Sequence, residues 1–180
     1  MEFVRADLME LGFARESFDY VFVCFVLEHV PRPEALLAEL GKFLKPGGVM
    51  TAIEGDHGSC RFFPETPAAL KVWNCLVRAQ EKAGGDSLIG RRLYPLLAGA
   101  GFREARVSPR VIYADASRPD LVEGFTEKTI LDMVRGVRDV SIEYGYVGAD
   151  EWERGIADIT RTKASDGTFS YTFYKGTAVK

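Results

Sequence analysis

Residues 18–25, with the sequence FDYVFVCF, restrict the fold of this chain more than any other segment. The run is apolar everywhere except Asp19 and is rich in aromatic and β-branched side chains. This composition favours a central parallel strand that is covered on both faces. The longest apolar run, residues 20–27, is far shorter than the ~20 residues of a membrane-spanning helix. We therefore expect a buried strand and no membrane partner.

A helix and a second strand follow this run. Pro33 can occupy the first turn of a helix, where its missing N–H costs nothing, and the sequence Pro46-Gly47-Gly48 stops that helix. Residues 49–53 are again apolar and predict a strand that ends in a polar loop. Strand, helix and strand with short links predict an α/β fold with a right-handed crossover.

The remaining elements are predicted from periodicity and breakers. A short strand end is expected at residues 3–6, and longer strands at 103–113 and 168–179, the last with apolar and polar residues in strict alternation. Helices are expected at 66–83, 90–100, 119–140 and 149–163.

Composition excludes several functions. The net charge is −3 and no basic stripe is present, so nucleic acid is not an expected partner. Three dispersed cysteines argue against a disulfide framework or a zinc site and favour a reducing, cytoplasmic compartment. The two histidines lack the spacing of metal ligands, and no metal is expected.

Four short motifs follow one another within the first 48 residues, and their order is specific: DL at 7–8, SFDYV at 17–21, LEHV at 27–30 and LKPGG at 44–48. This series resembles the class I S-adenosylmethionine-dependent methyltransferases that act on small molecules, including the ubiquinone- and menaquinone-biosynthesis type. The sequence LAGAGF at 97–102, before a strand, fits the same pattern.

The resemblance implies both a fold and an activity. The fold is α/β, a Rossmann-like methyltransferase sheet with strand order 3-2-1-4-5-7-6. Residues 1–180 would form a single partial domain, the carboxyl-terminal portion with strands three to seven. Added helices at 59–92 and 119–163 would cover the acceptor. The implied activity is methyl transfer from S-adenosylmethionine to a small-molecule acceptor.

The resemblance also implies cofactor-binding residues. Asp7 would accept a hydrogen bond from the adenine amino group, and the backbone N–H of Leu8 would meet the ring. Cys24, Phe25 and Val26, at the carboxyl end of a strand, would meet the methionine part of the cofactor. The alternatives are that Asp7 only caps a turn and that Phe25 is an ordinary core residue.

Four side chains are candidates for acid–base work on the methyl acceptor. Glu54, Asp56 and His57 follow the predicted second strand, and His29 lies in the LEHV motif. Structural roles compete with each of these interpretations, since a polar loop can simply be solvated and Glu28-His29 can begin a short helix.

The 180 residues contain no G-x-G-x-G loop, which the family uses to approach the cofactor. Three explanations compete: a truncated enzyme, a fragment that pairs as a homodimer through an exposed sheet edge, and a non-catalytic binding module. For these residues alone we expect weak or no cofactor binding and little transferase activity. The exposed edge would be residues 18–25, because strands one and two separate the third strand from the fourth in the family.

Overall fold

The computed structural model describes residues 3–180, which divide into two compact units. The first unit comprises Met1–Gly55, Leu88–Arg110 and Phe173–Lys180. The second unit comprises Asp56–Ser87 and Val111–Thr172. The predicted additions at 59–92 and 119–163 fall mainly in the second unit, and their role as a cover over an acceptor stays a prediction.

One four-stranded sheet is present, with strand order β1-β2-β4-β3. Its strands are β1 Phe18–Cys24, β2 Leu44–Phe63, β3 Arg103–Asp115 and β4 Thr168–Val179. β1 runs parallel to β2, with Cys24 beside Ile53, so the predicted βαβ unit is confirmed. The order equals 4-5-7-6 of the expected sheet, which confirms the Rossmann-like methyltransferase fold class for these strands.

Seven α-helices accompany the strands in the described residues. They are α1 Pro33–Gly41, α2 Pro67–Lys82, α3 Leu93–Gly99, α4 Pro119–Leu121, α5 Asp132–Gly136, α6 Arg138–Glu143 and α7 Ala149–Thr160. Short 3-10 helices occupy Leu27–His29, Ile89–Arg92 and Arg161–Lys163, and a π-helix runs over Val122–Leu131.

The core of the first unit forms where α1 and α3 pack on the sheet. The helix spacing of the leucines directs one face of each helix inward. β1 contributes the buried Val23 to this core, and the half-buried Val21 packs against it. The buried apolar members are Val23, Leu27, Leu36, Leu37, Leu40, Leu44, Met50, Ala52, Ile89, Leu93, Leu96, Leu97, Phe102 and Ala178.

The second unit is built on the packing of α2 against α7. Thr66 caps α2, since its hydroxyl accepts a hydrogen bond from the Ala69 N–H at 3.1 Å and donates to Asp158 Oδ2 at 2.7 Å. Gly155 lets the two helices approach closely. A methyl group there would lie 2.3 Å from Val72 Cγ2 and 2.5 Å from the Ala68 carbonyl oxygen.

Four predictions about elements were wrong. Residues 3–6 form no strand, and β1 is covered on one face only, with Tyr20 and Phe22 more than half exposed. β2 begins before Pro46 and continues past residue 53 to Phe63, so residues 54–57 lie inside a strand and not in a loop. The helix predicted at 119–140 is broken into α4, the π-helix, α5 and α6.

Within residues 3–180, no helix combines the length and the apolar character that crossing a membrane requires.

Replacing Gly155 with alanine should destabilise the second unit by about 1–3 kcal/mol, because the new methyl group overlaps backbone that cannot move aside. The matched control is Gly136→Ala, at a helical glycine with no atom within 4 Å of the new methyl group. Urea unfolding followed by circular dichroism measures both variants. Equal stabilities for the two variants would contradict the close packing of α2 and α7.

Candidate functional site

A tight turn follows the carboxyl end of β1, beside Ile53 and Glu54 in the middle of β2, and it carries the predicted methionine-side residues. Cys24 closes β1, and the next residue, Phe25, has a left-handed backbone with φ of 52°. Its N–H donates to the Ile53 carbonyl oxygen at 2.9 Å. A non-glycine residue in this conformation costs about 1–3 kcal/mol, and such strain concentrates at functional sites.

The ring of Phe25 stays accessible despite its position beside the core. It is 43% exposed, and its centroid lies 5.3 Å from that of Phe173 in β4. The structure therefore does not bear out the alternative that Phe25 is an ordinary core residue. It leaves an aromatic face open beyond the carboxyl end of the parallel strand β1, and open α/β sheets bind ligands beyond the carboxyl ends of their strands.

Glu54 fixes this turn from the neighbouring strand. The side chain is fully buried, and its Oε1 accepts hydrogen bonds from the N–H groups of Val26 at 3.1 Å and Leu27 at 2.9 Å. Its second oxygen, Oε2, is buried without a hydrogen-bond partner among the described residues. The contact joins β2 to the start of the 3-10 helix at Leu27–His29.

Burial raises the pKa of the Glu54 carboxyl to about 7, with a smaller contribution from the negative charge of Glu28. The hydrogen bonds from Leu27 and Val26 act in the opposite direction, since they favour the carboxylate. At neutral pH both protonation states are therefore populated. Burial, and then the charge of Glu54, raise the pKa of the Cys24 thiol, so Cys24 is not an activated nucleophile.

Asp7 and Leu8 lie in an exposed turn beside a groove. Asp7 Oδ1 accepts a hydrogen bond from the Met9 N–H at 2.8 Å, so the turn-capping role is present in the structure. The other carboxylate oxygen has no hydrogen bond among the described residues, which leaves it available to a ligand. The groove has a volume of about 370 Å³ and is lined by Asp7, Leu8, Met9, Val30, Pro31, Arg32 and Leu36.

His29 has the surroundings of a surface residue. Its side chain is 64% exposed, and Nε2 lies 3.5 Å from Oε1 of Glu28, its neighbour in the 3-10 helix. This geometry matches the structural interpretation, in which Glu28 and His29 simply begin a short helix.

The second unit contains the other two acid–base candidates. Asp56 is buried in β2, where its Oδ1 accepts a hydrogen bond from the Gly58 N–H at 3.0 Å. The Ser59 hydroxyl donates to the Asp56 carbonyl oxygen at 2.6 Å and accepts from the Thr172 N–H at 2.9 Å. These bonds fix the local backbone, and the solvated loop expected here is absent.

His57 is buried in an aromatic cluster of the second unit. Its Nδ1 lies 2.5 Å from the Tyr171 hydroxyl, and Trp73 Nε1 donates to the His57 carbonyl oxygen at 3.0 Å. The ring centroids of Trp73 and Tyr171 each lie 5.6 Å from that of His57. Sequence reasoning missed Tyr171 as a partner, although the alternation in β4 already placed it on the same face as Phe169.

Four aromatic residues, Phe62, Phe63, Trp73 and Tyr94, separate into two groups by burial. Phe62 and Trp73 are buried, and Phe62 stacks on Phe169 with centroids 6.3 Å apart. Phe63 and Tyr94 are more than half exposed. In residues 3–180, no group of three or more histidine, cysteine or acidic side chains is arranged to hold a metal ion.

Comparison with known proteins shows what the first part of the chain is similar to. Residues 1–52, which include Asp7, β1 and Phe25, match the family model described as a methyltransferase domain. This segment is therefore similar to a methyltransferase domain. It is similar to demethylmenaquinone methyltransferase of Staphylococcus aureus strains JH9 and Newman, with 43% identity over 65 residues. That match covers 36% of this chain and 27% of each relative, so the chain spans about a quarter of the length of those relatives.

Solved structures show the same fold along the whole chain. A candidate methyltransferase of Bacillus halodurans has a TM-score of 0.55 at 16% identity, covering 99% of this chain and 77% of that one. The YcgJ protein of Bacillus subtilis has a TM-score of 0.53 at 13% identity, covering 97% and 69%. A methyltransferase of Thermotoga maritima has a TM-score of 0.52 at 14% identity, covering 98% and 63%. At these identities the likeness establishes the fold alone.

Replacing Glu54 with glutamine should remove a pH dependence of stability. A carboxyl whose pKa rises from 4.5 to about 7 on folding favours the folded state at low pH. That contribution is full below pH 4.5 and is lost as the pH rises to about 7. The free energy of unfolding of the wild type should therefore fall, relative to that of Glu54→Gln, by up to about 3 kcal/mol across this window.

Urea unfolding at a series of pH values measures the difference between the two proteins. Glu10→Gln, at an exposed position, is the control and should follow the wild type at every pH. A constant difference between wild type and Glu54→Gln from pH 4.5 to 7 would show that Glu54 ionises normally.

Proposed function

We propose that residues 1–180 form the methionine-side and acceptor-side part of a methyltransferase. It would transfer the methyl group of S-adenosylmethionine to a small molecule. The observation that carries the proposal is the turn at Phe25. It is strained, anchored by Glu54 and open at an aromatic face, and it follows the carboxyl end of the parallel strand β1. The methyltransferase-domain match covers the β1 side of this turn.

The cofactor would be held along the first unit. The free carboxylate oxygen of Asp7 would accept a hydrogen bond from the adenine amino group, beside the N–H of Leu8. Cys24, Phe25 and Val26 would meet the methionine part. A sulfonium next to the exposed ring of Phe25 would gain about 0.5–2 kcal/mol from the cation–π interaction.

Methyl transfer would proceed by in-line attack of the acceptor on the methyl carbon, with the thioether as leaving group. Much of the rate can come from positioning, so a dedicated base is not obligatory. We assign Glu54 the role of a positioning residue, because its accepting oxygen is already engaged with the turn. Where an acceptor must lose a proton, His57 or Asp56 would take it; His29 is the weaker candidate because of its exposure.

The same proposal includes a cytoplasmic location and a second copy as partner. The three cysteines are free thiols, which suits a reducing compartment. A non-catalytic binding module remains the alternative function, and the absence of a G-x-G-x-G sequence from residues 1–180 is the feature that favours it.

The first test is calorimetric titration of S-adenosylmethionine into the 180-residue chain. We expect a dissociation constant weaker than about 100 μM, because no glycine-rich loop of this chain can bring backbone against the cofactor. Micromolar binding by the chain alone would contradict the need for a loop from another segment, and it would leave the methyltransferase assignment intact.

The second test supplies the loop. Residues 1–180 are fused behind the part of a Staphylococcus aureus demethylmenaquinone methyltransferase that precedes its matched segment. We expect the folded chimera to bind S-adenosylmethionine at micromolar concentration. Phe25→Ala should weaken that binding at least tenfold, about 1.4 kcal/mol, through loss of the aromatic face.

Phe63→Ala, which removes a similarly exposed aromatic ring of the second unit, is the matched control and should leave binding unchanged. Transfer is then assayed on a panel of small acceptors that begins with demethylmenaquinone. A folded chimera that binds no S-adenosylmethionine would overturn the proposed function and support the binding module.

A further inference from the structure

A groove in the second unit lies along α2, and no step of the proposed methyl transfer uses it. Its volume is about 450 Å³, within the range of roughly 300–1,000 Å³ that is usual for small-ligand sites. Its lining includes the apolar Pro67 and Leu70, the buried Cys75 and two cations, Lys71 and Arg78. None of the described side chains that line it is acidic. The groove therefore combines apolar surface with positive charge.

The guanidinium of Arg78 is held over the ring of Tyr146, with 3.7 Å between its central carbon and the ring centroid. This separation requires a near-parallel arrangement, because a perpendicular guanidinium would push its nitrogens into the ring. A guanidinium stacked in this way keeps its N–H donors in its own plane, directed away from the ring. Within residues 3–180 these donors meet no hydrogen-bond acceptor or carboxylate. The edge of Arg78 is therefore available to an anionic ligand.

Backbone hydrogen bonds fix the position of Tyr146. α6 ends in a Schellman motif, in which Gly145 is left-handed with φ of 66° and its N–H donates to the Ile142 carbonyl oxygen at 3.0 Å. The N–H of Tyr146 donates to the Ser141 carbonyl oxygen at 2.9 Å. The ring that supports Arg78 is therefore in place before any ligand arrives, which reduces the entropy lost on binding.

Asn74 supplies a second hydrogen-bond donor beside Arg78. The two residues are four positions apart in α2, so they are neighbours on one face of the helix, with Cβ atoms about 5–6 Å apart. The amide of Asn74 also lines the groove, and it has no hydrogen-bond partner in the part of the chain that the structure describes. An amide N–H and a guanidinium edge on successive turns can together bind the two oxygens of one carboxylate.

The charges around the groove favour a ligand with a single negative charge. Lys71 already pairs with Glu151 of α7 at 2.6 Å, so its charge is compensated. Glu81, one turn beyond Arg78 in α2, is not among the residues that line the groove. Arg78 therefore supplies the one uncompensated charge of the lining. A second negative charge on the ligand, as on a phosphate, would lack a cation and would be repelled by Glu151.

We propose that the second unit binds a small organic monocarboxylate in this groove. The carboxylate accepts hydrogen bonds from the guanidinium of Arg78 and the amide of Asn74. The apolar part of the ligand lies against Pro67 and Leu70, which line the same groove. Every residue of the site belongs to the second unit, so binding requires neither S-adenosylmethionine nor the turn at Phe25.

Fluorine NMR with 4-fluorobenzoate as the probe tests the proposal on the 180-residue chain. We expect saturable binding with a dissociation constant of about 1 mM, which is typical of a ligand with only about ten non-hydrogen atoms. Neutral 4-fluorobenzamide has nearly the same shape and should bind at least tenfold more weakly, because it cannot pair with Arg78 as an anion. In a nitrogen-15 spectrum, the side-chain amide of Asn74 should shift with benzoate and not with benzamide.

Two substitutions at Arg78 separate its charge from its geometry. Arg78→Gln removes the charge and should weaken benzoate binding at least tenfold. Arg78→Lys keeps the charge but lacks the paired donors of a guanidinium, so it should weaken binding severalfold. The matched control is Arg135→Gln, which removes an exposed arginine of α5 that pairs with Asp132, and it should leave binding unchanged.

The absence of saturable benzoate binding up to about 10 mM would overturn the proposal, as would equal binding of benzoate and benzamide or wild-type binding by either Arg78 variant. Tighter binding of 4-fluorophenyl phosphate than of 4-fluorobenzoate would contradict the single negative charge. Tighter binding of a peptide of five glutamates would assign the groove to an acidic protein segment instead. Circular dichroism confirms that the compared variants are folded. None of these outcomes depends on methyl transfer, so they leave the proposed function untouched.

Discussion

Two hydrogen bonds, from the N–H groups of Val26 and Leu27 to Oε1 of Glu54, hold the turn after β1 in the conformation that the proposed function needs. This contact connects the middle of β2 to the turn that follows β1, and that turn places Phe25. Hydrogen bonds to a charged group contribute about 1.5–3 kcal/mol each, enough to offset the strain of one left-handed residue. Burying the Glu54 carboxyl is itself unfavourable to its charged form, so its pKa rises to about 7.

A second constraint comes from the composition of β1. Its sequence is that of a strand buried inside a parallel sheet, yet the strand lies at the end of the sheet with three aromatic rings exposed. Local composition and position in the described sheet therefore conflict.

Much of the fold could be predicted because the signals were local. The strand at 18–24, the helix beginning near Pro33, the helix at 67–82 and the last strand are each marked by periodicity together with a breaker. The order of strands came from the resemblance to methyltransferases and agrees with the structure. The continuation of β2 through residues 54–63 could not be predicted, since glycine and charged residues there suggested a loop. Pairing with other strands outweighed that propensity.

The candidate site was predictable in its location but not in its contacts. Cys24, Phe25 and Val26 were expected where a parallel strand ends, and they lie there. Glu54 was expected in a loop and lies inside β2, and the sequence cannot show that its side chain reaches back across 28 residues to Val26. The partnership of His57 with Tyr171, separated by 114 residues, is likewise set by the pairing of distant strands.

The central claim, that a buried Glu54 holds the Phe25 turn, is tested most directly by a carbon-13 NMR titration of the Glu54 side-chain carboxyl. The account predicts a midpoint near pH 7, with the amide resonances of Val26 and Leu27 shifting at the same midpoint and Glu54→Gln abolishing those shifts. A midpoint near 4.5, with both amides unresponsive, would contradict it.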